Sequence, residues 1–190
     1  MTKKALLDAC TIFGMPIKDT LFTAAFQGVF QLYLSEEILD EVSRNRIKKQ
    51  LSTPEREDHF QQQVRKAFPQ SFIDAPLNLI ESMTNDPKDL HVLAAAIVAG
   101  VDYLVTYNLK NFPVISYRDY NLLVLNPDDF LLALCDDCGD ESLINVLEEQ
   151  SRNLKKTSIS PLQILDKLRI NRCNKFADRL YRAISDRYSL

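Results

Sequence analysis

Short apolar runs that end on a polar or acidic residue, separated by longer helix-forming stretches, limit this chain to few architectures. Lys4-Ala-Leu-Leu runs into Asp8, Phe30–Leu34 into Ser35, and Asp102-Tyr-Leu-Val into Thr106; Leu122–Leu125 makes a fourth run. Runs that stay apolar without alternating suit strands buried on both faces of a parallel sheet. Parallel strands need helical crossovers, so the pattern predicts an α/β fold with helices on both faces of the sheet. Such sheets bind their ligands beyond the carboxyl ends of the strands. Functional residues are therefore expected just after the runs, where Asp8 and Thr106 stand.

Between the runs, helices are predicted from Thr20 to Phe30, from Ser35 to about Leu51, and from Pro54 to near Phe68. Ser35 makes an N-cap, with Glu36 and Glu37 favourably placed in the first turn. Asp86-Pro87 opens a further helix that runs through Ala99 and stops at Gly100. Beyond Pro127 only helices are expected, at about 127–135, 140–156, 160–169 and 172–186. With four glycines in the chain, no Gly-rich phosphate loop follows any strand, which excludes the dinucleotide and P-loop folds. No apolar run approaches the ~18 residues of a membrane span, and the stretch after the basic N-terminus is broken by Asp8, so a cytoplasmic protein is expected. The four cysteines (Cys10, Cys135, Cys138 and Cys173) are expected to be free thiols, because Cys135-Asp-Asp-Cys138 lacks nearby partners for a structural zinc.

The net charge of −3 hides an asymmetry: residues 1–150 carry 13 Lys+Arg against 23 Asp+Glu, and residues 151–190 carry 10 against 3. Arg172, Lys175, Arg179 and Arg182 recur at helical spacing beside an apolar face of Phe176, Leu180 and Ile184. That stripe could track the phosphates of a negatively charged partner, or dock on the acidic part of the same chain.

The acids carry the chemistry. Asp8 ends the first strand, Glu41 lies on the helix after the second, and Asp86 and Asp89 open the helix before the third. Hard divalent cations such as Mg²⁺ or Mn²⁺ take carboxylate oxygens, and supply the charge that phosphodiester hydrolysis needs when no protein nucleophile is used. Each acid also has a plain structural use. Asp8 could begin a turn, Glu41 could pair with Arg44, and Asp86 could cap a helix with Asp89 at its third position. A phosphatase with a second acid two residues after Asp8 is excluded, because residue 10 is Cys.

Leu6-Leu-Asp8-Ala-Cys, Ser35-Glu-Glu-Ile-Leu-Asp-Glu41, Asp86-Pro-Lys-Asp89-Leu-His-Val-Leu-Ala-Ala-Ala96 and Leu104-Val-Thr106-Tyr-Asn108-Leu-Lys-Asn111-Phe-Pro113, in that order, resemble the PIN-domain family. The likeness is closest to its VapC-like toxin branch with a helical C-terminal extension. It implies a three-layer α/β/α sandwich with a parallel central sheet over residues 1–135 and a basic helical extension over 136–190. It also implies an Mg²⁺- or Mn²⁺-dependent single-strand endoribonuclease, the toxin of a type II toxin–antitoxin pair, with RNA as substrate, a cognate antitoxin and a homodimer. By position, Asp8, Glu41 and Asp89 match the family's core acids and metal ligands. Asn111 stands where a fourth acid is usual, which weakens the expected charge. Asp86, Thr106 and Asn108 would support the ligands or orient water. His91 is expected on the helix surface, where it could touch RNA. The alternative is a degenerate PIN fold that binds RNA or protein without cutting.

Overall fold

The computed structural model describes residues 2–153 and 159–188. Its four strands, β1 (Lys4–Leu7), β2 (Gln31–Tyr33), β3 (Tyr103–Val105) and β4 (Leu123–Leu125), form one sheet in the order β2-β1-β3-β4. All three pairings are parallel. Ala5, Leu6 and Leu7 on β1 and Leu104 and Val105 on β3 are wholly buried, as strands covered on both faces must be. The predicted parallel α/β fold is present, with additional helices at the C-terminal end.

The helices are α1 (Ala9–Ile12), α2 (Ile17–Phe26), α3 (Glu36–Lys48), α4 (Pro54–Ala67), α5 (Leu77–Ser82), α6 (Leu90–Ala99), α7 (Pro127–Cys138), α8 (Asp140–Asn153), α9 (Pro161–Ile170) and α10 (Asn174–Tyr188). Contacts divide the chain into two units. The first comprises Met1–Phe13 and Gln31–Leu125; the second comprises Gly14–Phe30 and Asn126–Leu190. A boundary at residue 135 falls inside α7.

In the first unit, local sequence sets the helix ends. Ser35 Oγ accepts the Ile38 N–H at 3.2 Å and starts α3. Gly100, at φ 56°, ends α6 in the left-handed conformation that glycine takes without strain. Along α6, Val92, Leu93, Ala94, Ala95 and Ala96 are buried, and α6 packs against β1 and β3. The three alanines allow that approach.

The start of α6 corrects the sequence expectation. The helix begins at Leu90, not at Asp86-Pro87. Asp86 does not cap it: Asp86 Oδ1 accepts the Lys88 N–H at 3.0 Å and closes a side-chain turn two residues long. Asp86 N–H is in turn held by Asn111 O at 3.0 Å, which keeps this residue in the loop. Asp89 becomes the residue before the helix and makes no side-chain capping bond. Two smaller differences are that α2 spans Ile17–Phe26 instead of Thr20–Phe30, and that α5, which buries none of its residues, was not expected.

The second unit is helical. Phe30 and Phe130 meet edge to face at 5.1 Å in its core. The turn into α9 carries a reciprocal capping box between Ser160 and Gln163. The buried carboxylate of Asp128 on α7 accepts the Lys175 and Phe176 N–H groups at 3.1 and 2.8 Å and anchors the start of α10. Among the described residues no helix is long and apolar enough to cross a membrane.

Candidate active site

Asp8 follows the last residue of β1, and its N–H donates to Val105 O at 3.0 Å. The pairing of Leu7 with Val105 continues one step to set Asp8 beside Thr106. Thr106, fully buried, donates from Oγ1 to Asp8 Oδ2 at 2.6 Å. The Cys10 thiol donates to the same oxygen at 3.0 Å and lies 3.3 Å from Thr106 Oγ1. Burial, with the charge of Asp8, pushes the Cys10 thiol up to about 12, so the sulfur stays protonated and acts as a donor. Two hydrogen bonds on one oxygen, in a residue 2% exposed, fix the orientation of the Asp8 carboxylate.

Asp89 is held by donors of its own. Asn111 Nδ2 donates to Asp89 Oδ2 at 2.7 Å, and Asn85 Nδ2 donates to Asp89 O at 2.9 Å. Burial raises the Asp89 carboxyl above its ordinary range, and the charges of Asp8 and Asp86 raise it further, against the Asn111 hydrogen bond and His91. Glu41 on α3 is raised in the same way: by burial first, then by Asp8, with a smaller push from Asp89, while His91 and Arg44 pull it down. The charges of Asp8 and Asp89 thus raise Glu41, and that of Asp8 raises Asp89, so the three lie within electrostatic reach of one another. Asp86 contributes at the edge. Its charge acts on Asp89 although its own carboxylate is engaged with the Lys88 N–H.

Asn108 takes part through its backbone: its N–H donates to Thr106 Oγ1 at 2.9 Å. Asn111 is a donor to Asp89 and not a further anionic arm. His91 is not on an open helix surface; its side chain is 12% exposed and faces Glu37 and Glu41, both at 3.8 Å. The roles of Cys10 and Asn85 were missed by sequence reasoning. Cys10 carried a signal, since a residue two positions beyond Asp8, in the first turn of α1, can turn back on it.

The donor set fits a hard divalent cation: carboxylates, partly buried, repelling one another, with neutral donors behind them. Among the described residues no three His, Cys, Asp or Glu side chains already surround one metal-sized point. Asp8, Glu41 and Asp89 are the residues that could hold such a cation, whose charge would offset the repulsion acting on Glu41 and Asp89.

Two of the four basic residues of the C-terminal stripe are paired with acids of their own unit. Lys175 Nζ pairs with Asp129 at 2.8 Å, and Arg179 pairs with Asp140 at 2.7 Å and Asp136 at 2.5 Å, all inside the second unit. Arg172 and Arg182 are exposed. None of the four cysteines forms a disulfide.

The profile of the PIN domain matches residues 4–110, more than half of the chain and the whole stretch that carries these acids. The chain belongs to the PIN-domain family. The profile of the VapC50 C-terminal domain matches residues 127–182, so the helices after this PIN domain resemble that extension. Among curated proteins the chain is similar to "Putative ribonuclease VapC50" of Mycobacterium tuberculosis (strain ATCC 25618 / H37Rv), 48% identical over 59 residues. That match spans 31% of this chain and 35% of the relative. No solved structure matches the chain.

Proposed function

We propose that this PIN domain is a divalent-metal-dependent endoribonuclease acting on single-stranded RNA, and the toxin of a type II toxin–antitoxin pair. The observation that carries the reading is the Asp8 carboxylate, oriented by Thr106 and Cys10 at the carboxyl end of β1, with its charge acting on both Glu41 and Asp89. Carboxylates kept together against repulsion suit a site that a cation completes. Asp8, Glu41 and Asp89 would hold Mg²⁺ or Mn²⁺, which when bound supplies positive charge at the scissile phosphate and makes water a stronger acid there.

The chain's own groups do the positioning. Thr106 and Cys10 orient Asp8, Asn111 orients Asp89, and the Asn108 N–H holds the Thr106 hydroxyl in line. Asn111, being uncharged, brings one anion fewer beside Asp89 than a fourth acid would. RNA would reach the site along its phosphates. Of the basic stripe, Arg172 and Arg182 are the better candidates for that contact, because Lys175 and Arg179 are already paired with acids. A cognate antitoxin, a homodimer and a cytoplasmic location complete the proposal, and rest on the VapC-like character of the family match.

The test is cleavage of a single-stranded RNA by the full chain with Mn²⁺, with Mn²⁺ plus EDTA, and by Asp8→Ala. Cleavage lost in both controls supports the reading, and cleavage unaffected by both overturns the metal mechanism. Asn111 favours one second reading, a PIN fold that binds RNA or protein without cutting. RNA retention with no cleavage in any metal would select it.

A further inference from the structure

We propose that His91 is a positioning residue for Glu41, anchoring that α3 carboxylate to the first turn of α6, which follows Asp89; the inference rests on the nuclease reading above. His91 stands two residues after Asp89, in the first turn of α6. Its Nδ1 lies 3.8 Å from Glu37 Oε1, and its Nε2 lies 3.8 Å from Glu41 Oε2. Glu37 and Glu41 are four residues apart, so they occupy successive turns of one face of α3. One imidazole ring therefore faces both turns.

The ring is placed for this use at a cost. His91 Nε2 is buried and has no hydrogen-bond partner, and an unpaired buried polar atom is unfavourable. At 3.8 Å the contact with Glu41 is longer than a hydrogen bond. The Glu41 side chain is 32% exposed and has room to turn, and its other oxygen is touched by Asn45 Nδ2 only at 3.4 Å. A small rotation of Glu41 satisfies Nε2 and keeps the carboxylate at the mouth of the acid cluster. Without the ring, repulsion from Asp8 and Asp89 would turn Glu41 toward solvent. His91 thus couples α3, which carries Glu41, to α6, which Asp89 precedes.

The test is a double-mutant cycle on the full chain with His91→Ala, His91→Gln, Glu41→Gln and His91→Ala/Glu41→Gln. Mn²⁺ affinity is read by calorimetry, and urea unfolding is read in EDTA. His91→Ala is expected to weaken Mn²⁺ binding by about 10-fold or more, the range seen for residues that orient a metal ligand. His91→Gln should recover most of it, since its amide can donate to Glu41. In the Glu41→Gln background, removing His91 should change affinity less than about twofold. An equal loss in both backgrounds, or no loss from His91→Ala, overturns the proposal. If the unsubstituted chain binds no Mn²⁺, the metal reading fails separately. The urea cycle then decides the contact: coupling between positions 91 and 41 supports it, and independence overturns it.

Discussion

Thr106 Oγ1 donates to Asp8 Oδ2 at 2.6 Å, one step beyond the last paired residues of two neighbouring parallel strands. The strand register itself thus aims the hydroxyl at the acid. Thr106→Val keeps the shape and removes the donor. Mn²⁺ affinity should fall by about 10-fold or more while the far-ultraviolet circular dichroism stays unchanged. Unaltered affinity would show that Asp8 needs no such support.

Asn111 bridges the loop after β3 to Asp89 by a 2.7 Å hydrogen bond. Asn111→Asp replaces that donor with a fourth negative charge. The metal-free protein should melt several degrees lower, as roughly 1–2 kcal/mol of repulsion and lost hydrogen bonding implies. Mn²⁺ should bind more tightly and raise cleavage of single-stranded RNA. Scanning calorimetry with EDTA and with Mn²⁺ checks both signs.

Glu57 is buried on α4, and burial alone would raise it. Hydrogen bonds from Ser52, Arg46 and Ser43, with the Arg46 charge, outweigh burial and hold it below its usual range. A carboxylate depressed in the folded state stabilises above its unfolded value and stops doing so as pH falls through the folded one. Glu57→Gln should therefore cost about 2 kcal/mol at pH 7. The difference from the unsubstituted chain should shrink below about pH 4.5. A pH-independent difference in urea unfolding would contradict this.

Arg179 is tied to Asp136 and Asp140, whereas Arg172 and Arg182 are exposed. Arg179→Met should lower the melting temperature and leave the salt dependence of RNA binding nearly unchanged. Arg172→Ala and Arg182→Ala should do the reverse, each reducing the salt slope by about one counterion. Equal effects of all three on the slope would assign the whole stripe to RNA.

The sheet was legible because unbroken apolar runs such as Ala5–Leu7 have few alternatives once helices separate them. Asp8 was expected for the same reason, since it ends the first run, whereas Glu41 and Asp89 stand on or just before helices and were expected from the family resemblance. Asp86-Pro87 misled because the dipeptide is a good helix start by local chemistry. The hydrogen bond from Asp86 N–H to Asn111 O, 25 positions on in the chain, decided otherwise. The setting of His91 was invisible in the same way, since it depends on how α6 meets α3. Thr20–Phe30 reads as one more helix of the α/β pattern, and nothing local marks the membership of Gly14–Phe30 in the second unit.

That membership has a consequence for truncation. The polypeptide leaves the sheet-bearing unit after Phe13 and rejoins it at Gln31. In between, α2 packs on α8, and Thr20 Oγ1 donates to Gln150 Oε1 at 2.8 Å. A protein cut off at Leu125 would keep Asp8, Glu41, Asp86 and Asp89 yet strand an apolar helix with Leu21 and Ala24 bare, so it should precipitate or be degraded instead of surviving as a minimal enzyme.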